Sequence, residues 1–117
     1  MKEEKDIRQF IVLRAGNSPN EIVNIDLNDF NNGVYKALNI DIYEHVHVGS
    51  TFGIDLHMLV DEEGAIKSPL PKVNKQATYL YGLTIYGDAL LCIVDDNYNF
   101  GPIEGSDFFK LFSYFQR

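Results

Sequence analysis

Only one group of side chains in this sequence has the types and spacing for metal chemistry: His45, His47, Asp55 and His57. Imidazole nitrogens and a carboxylate are the donors that zinc and other first-row divalent ions take. His45 and His47 alternate along a strand-like run, YEHVHV, and Asp55 and His57 along a second, IDLHMLV. Residues two apart on a strand share a face, so each run aims its donors to one side. Pairing Gly49 with Gly53 across a three-residue loop sets His45 opposite His57 and His47 opposite Asp55, and gathers Val46, Val48, Ile54, Leu56 and Met58 on the other face. Such a set admits zinc and the reading of a metal-dependent hydrolase. Without an ion it is a solvated sheet face whose members hydrogen-bond locally. The sequence calls for no other cofactor.

A second constellation surrounds Pro69-Leu70-Pro71, where Lys67, Lys72, Asn74 and Lys75 suit anionic groups and Tyr79 or Tyr81 suits a stacked base. This is the reading of a small-ligand, nucleotide-like binder. Asp61, Glu62, Glu63, Asp95 and Asp96 fall at turn signals, where acidic residues are structurally favoured without catalysis. Cys92 lies inside an apolar run and reads as a buried, unreactive thiol. Ser50-Thr51 lacks the glycine loop and following helix of a phosphate cradle.

The elements that must carry these groups are legible in part. Ile7 to Leu13 reads as a strand, Asn17 to Asn20 as a turn, and Ile22 to Leu27 as an alternating strand that completes a hairpin. Asn28 or Asp29 caps a helix through Asn39, with Phe30, Val34, Tyr35 and Leu38 at helical spacing, although Gly33 weakens it by about 1 kcal/mol relative to alanine. Asp61-Glu62-Glu63-Gly64 reads as a hairpin turn with Gly64 at positive φ, followed by a short strand at Ala65-Ile66. Asn74 caps a short helix with Ala77, Leu80 and Tyr81 on one face and Gly82 as its stop. Ala89 to Val94 is an apolar strand. Ser106 or Asp107 opens a C-terminal helix (residues 106–117) with a stripe of Phe108, Phe112 and Phe115. The expected fold is α+β: one domain over residues 1–117, frayed over 1–6, with two or three helices on an antiparallel or mixed sheet. The first helix and the short helix are expected to cover the sheet's apolar face.

At 117 residues the chain has room for one core, and its hydrophobic fraction of 45% is ordinary. No apolar run reaches membrane-spanning length, and the start MKEEK lacks the apolar stretch of a signal peptide, so a cytoplasmic location without membrane contact is expected. One cysteine excludes a disulfide framework and a cysteine-based zinc cluster. A net charge of −7 argues against direct nucleic-acid binding. The acidic residues concentrate in two windows free of Lys and Arg, between Ala37 and Ile66 and between Gln76 and Phe109. The corner around the prolines is basic.

The order Asp-Glu-Glu-Gly from Asp61, Leu70-Pro71, Asn74-x-x-Ala77-Thr78-x-Leu80-Tyr81, then Ile85-x-Gly87-Asp88, resembles a family of small phage, prophage and plasmid proteins grouped as a domain of unknown function. The resemblance covers the middle third to half of the chain. It implies an accessory protein of a mobile element, in the host cytoplasm if phage-encoded, and brings no catalytic residues. The function expected is therefore non-enzymatic protein binding, with inhibition of a host or competitor protein as its most specific form. The expected surfaces are Phe108, Phe109, Phe112, Tyr114 and Phe115, through which the chain could also dimerise, and the acidic Asp61, Glu62 and Glu63. The aromatic helix has two readings: an interface, or a part of the domain's own core.

Overall fold

The computed structural model describes residues 4–116. Strands β1 (Ile7–Leu13) and β2 (Glu21–Asp26) form the first hairpin, and a 3-10 turn (Leu27–Asp29) leads into helix α1 (Phe30–Leu38). Strands β3 (Tyr43–Thr51) and β4 (Ile54–Asp61) form the second hairpin. After another 3-10 turn (Gly64–Ile66) and the proline corner come helix α2 (Lys75–Tyr81), strands β5 (Ala89–Val94) and β6 (Phe100–Gly101), and helix α3 (Gly105–Phe115). The sheet runs β2-β1-β5-β4-β3, with β6 beside β5, and every pairing is antiparallel. The fold is α+β.

Strand β5 explains the layering. Ala89, Leu90, Leu91 and Cys92 are all fully buried, because β5 is central and covered on both faces. Such a strand is continuously apolar, whereas the edge strand β2 alternates. Ala89 and Leu91 join Ile11, Leu13, Leu56 and Met58 beneath α2 and α3. Leu90 and Cys92 join Phe10, Val12 and Leu59 beneath α1. Helices α1 and α2 therefore lie on opposite faces, which corrects the expectation that they share one. The alternation within β5 is what demands a second cover, and α3 supplies most of it.

Helix α3 buries Phe108, Leu111 and Phe115, with Phe112 and Tyr114 partly buried against the same core. The stripe expected from Phe108, Phe112 and Phe115 is thus rotated toward Leu111. Phe108 and Phe115 belong to the chain's own interior and are unavailable as interface residues. Phe109 alone among the helix's aromatics is well exposed, at 69%. Its N-terminus also differs: Glu104 occupies the cap position, without a side-chain cap, ahead of Ser106 and Asp107.

Local chemistry accounts for the other joints. Asn39 takes a left-handed φ of 55° to end α1. Gly33 lies so close to the sheet that a Cβ there would stand 2.6 Å from Ile25 Cγ2, which explains a helix-weakening residue in mid-helix. The segment Asp61–Gly64 does not make a hairpin, and Gly64 has no positive φ. Gly64 is buried, and a Cβ would meet the Tyr86 carbonyl oxygen at 2.9 Å. Ala65 and Ile66 accordingly lie in the 3-10 turn rather than in a strand. Residues 1–3, half of the expected frayed start, lie outside the described residues, as does residue 117. Asp6 is held in place: its N–H donates to Asp26 Oδ1 at 3.1 Å, and its carbonyl accepts from the Leu27 N–H at 2.9 Å.

Candidate metal centre

The hairpin of β3 and β4 positions the histidines by a route the glycines did not announce. Phe52 and Gly53 both take positive φ, 53° and 79°, as a mirror-image two-residue hairpin turn requires. Thr51 then pairs with Ile54 and Gly49 with Leu56. A bulge between His47 and Gly49, with Gly49 at φ 105°, shifts the register so that His47 pairs with His57 and His45 with Leu59. The expected pairing of His45 with His57 and His47 with Asp55 is therefore wrong. The shared face survives because the bulge restores the inside–outside parity that the tighter turn changes. Val46, Val48, Ile54, Leu56 and Met58 remain together on the opposite side.

All three histidines of the chain converge on this face. The rings of His47 and His57 stack with centroids 4.3 Å apart and planes 9° apart, and His45 stacks on His57 at 4.9 Å. His47 Nε2 lies 2.6 Å from Asp55 Oδ1, and His57 Nε2 lies 3.5 Å from Asp55 Oδ2. Donor atoms of His47, Asp55 and His57 lie within 4.8 Å of one another. His45 stands apart from that trio, with its Nε2 2.7 Å from His57 Nδ1. His57 is buried, while His47 and Asp55 are largely exposed. The hydrogen bond from His47 and the charges of both neighbouring histidines hold the Asp55 carboxyl below its usual range. Burial, helped by the charges of His57 and His47, pushes His45 below the usual imidazole value, so it favours the neutral, accepting form. Phe100 closes one side, its ring 5.0 Å from that of His45.

The lysine corner is less available than its sequence suggests. Lys67 is ion-paired with the buried Asp61 carboxylate, and Asp61 also accepts from the Glu63 N–H at 3.0 Å. Asn74 is fully buried: its Oδ1 accepts from the Ala77 N–H, and its Nδ2 donates to the carbonyls of Leu13 and Gly87. Lys67 and Asn74 are thus committed to the fold rather than to a ligand, and Asp61 is withdrawn from the partner surface expected of it. Lys72, Lys75, Tyr79 and Tyr81 stay exposed, as do Glu62 and Glu63. Tyr81 faces outward instead of sharing the buried face with Ala77. Lys75 and Tyr79 border a shallow depression of about 250 Å³, with Gln76, Tyr114 and Phe115.

A larger open cleft, about 1080 Å³, escaped the sequence reading. Phe30, Ile93 and Phe100 form its apolar wall, with Asp95, Glu104 and Asp107 among its carboxylates. Its residues come from α1, β5, β6, α3 and their flanking loops, so no local spacing could signal it.

No protein-family model and no curated protein matches the chain. Among solved structures, the chain is similar to one described as the crystal structure of small RNA methyltransferase HEN1, with a TM-score of 0.58 and 12% identity. The match covers 93% of this chain and 16% of that one, so this chain spans about a sixth of the other protein. At that identity the likeness is one of fold. Among the described residues, no helix is long and apolar enough to cross a membrane.

Proposed function

We propose that the chain is a non-enzymatic binding protein that engages a protein partner through the segment Ile66–Leu83. One observation carries this reading: Ile66, Leu70, Val73, Tyr79, Tyr81 and Leu83, half of the large apolar side chains exposed among the described residues, fall within this single stretch. Ile66, Tyr79 and Leu83 are 79%, 76% and 65% exposed. Exposed apolar side chains concentrated in this way mark interaction surfaces. From Ala65 to Gly87 the sequence holds Lys67, Lys72 and Lys75 and no acidic residue, in a chain of net charge −7. Lys72 and Lys75 make no ion pair among the described residues. The partner that fits is therefore a protein presenting apolar side chains ringed by carboxylates, with charge setting orientation and encounter rate. Half of the residues that resemble the mobile-element family fall in the same stretch, which supports an accessory role directed at a host or competitor protein.

The test compares wild-type chain with the combined Ile66→Ser, Tyr79→Ser, Leu83→Ser variant as baits in a host lysate. The reading predicts a stoichiometric partner that the wild type retains and the folded variant loses. A partner retained equally by both would overturn it.

A further inference from the structure

The geometry points to a divalent transition-metal ion, zinc foremost, held by His47 Nε2, His57 Nε2 and an Asp55 carboxylate oxygen, with His45 as the residue that sets the tautomer of His57. This site is independent of the corner surface and lies on the hairpin near the far edge of the sheet.

His57 is the pivot of the site, within reach of both Asp55 and His45. To ligate through Nε2, its ring must carry the proton on Nδ1, and that N–H needs an acceptor. His45 Nε2 stands 2.7 Å from it and is placed to accept. His45 must then carry its own proton on Nδ1. Metal-bound imidazoles almost always donate their other N–H in this way, which fixes the ring and raises its basicity. Here a histidine takes the acceptor's place, and His57 is turned toward a carboxylate and a third histidine. Ordinary cross-strand packing requires none of it.

The ligand positions agree. His47 and His57 face each other directly across the hairpin, and Asp55 lies two residues before His57 on the same face. Their donor atoms already lie within 4.8 Å of one another, and small side-chain rotations suffice to centre an ion among them. Two imidazoles and one carboxylate suit zinc and its first-row neighbours and do not suit calcium or magnesium, which take all-oxygen shells. Three protein ligands leave at least one coordination position open. Because His47 and Asp55 are exposed at 58% and 70% of their side-chain surface, that position faces solvent. The site would thus take a water molecule or a small anionic ligand on the metal.

The test uses the full chain and cobalt(II) as a spectroscopic stand-in for zinc, with zinc competition. The expected result is one cobalt ion per chain, visible d–d absorption, and displacement by zinc. Asp55→Asn and His47→Ala alter exposed side chains and should leave the fold intact, as circular dichroism would check. Each should weaken binding at least about 10-fold. His45→Phe keeps a ring in the stack but removes the acceptor, and should weaken binding by about 10- to 100-fold without changing the stoichiometry. Nitrogen-15 spectra of labelled histidine should show the His57 proton on Nδ1 and a metal-shifted Nε2. Absence of zinc-competable binding in the wild type, or binding indifferent to both Asp55→Asn and His47→Ala, would overturn the site. Unchanged affinity in His45→Phe would remove its positioning role.

Discussion

Two apolar segments of this chain have opposite fates. Helix α3 carries five aromatic residues between Phe108 and Phe115, yet Phe108, Leu111 and Phe115 are buried in the core beneath the sheet. The stretch Ile66–Leu83 carries fewer aromatics, is interrupted by prolines and lysines, and leaves six large apolar side chains exposed. Aromatic density therefore does not locate the binding surface here. What separates the two segments is whether a facing element needs cover. The face of β5 that presents Ala89 and Leu91 needs α3, whereas α2 contributes only Ala77 and part of Leu80 to that core and turns its remaining surface outward.

The widest contrast should appear in thiol chemistry. Burial pushes the Cys92 thiol up to about 12, so its thiolate is scarce at pH 8. A Tyr79→Cys variant would place a second thiol on the exposed corner. Reaction with a thiol reagent should be at least ~10³-fold faster there than at Cys92, since each unit of pKa removes about tenfold of the thiolate. The sign is fixed: a thiol raised in the folded state favours folding below its unfolded value and loses that contribution as pH climbs toward about 12. Comparable rates at the two positions would break the contrast.

Stability should divide the segments next. Leu111→Ala removes a fully buried side chain and should cost about 2–5 kcal/mol by urea denaturation. A loss below about 1 kcal/mol would mean that α3 is not part of the core. Asn74→Ala removes the α2 cap and leaves the carbonyls of Leu13 and Gly87 without their donor, for a loss of about 2–3 kcal/mol. An Asn74→Asp variant keeps the cap acceptor but sets a buried carboxylate against the carbonyl oxygens of Leu13 and Gly87, and should lose at least as much as Asn74→Ala; a smaller loss would show that the two donated bonds contribute little. At the small end, single changes of Ile66, Tyr79 or Leu83 to Ser should stay within about 0.5 kcal/mol. A larger loss would show that the corner packs within the fold.

These contrasts also show what the sequence could and could not reveal. Helix α2 was legible because its signals are local: Asn74 accepts from the Ala77 N–H, and Gly82 takes the left-handed stop at φ 90°. The common face of His45, His47, Asp55 and His57 was legible from alternation alone. Their register was not, because it depends on Phe52 adopting a positive φ, which a bulky side chain rarely does, and on a compensating bulge at Gly49. Asp61-Glu62-Glu63-Gly64 looks like a hairpin turn, but Gly64 answers to the Tyr86 carbonyl, a contact twenty-two residues away that local spacing does not encode. Helix α3 was ambiguous for the same reason. Its own residues show an apolar surface, while the need for that surface lies in β5.

The most direct test of the binding reading is hydrogen–deuterium exchange on the chain alone and in complex with its captured partner. The account predicts new protection concentrated within Ile66–Leu83, with Phe108–Phe115 equally protected in both states because it is already buried. Protection gained at Phe108–Phe115, with none at Ile66–Leu83, would contradict the account and return the interface to the aromatic helix.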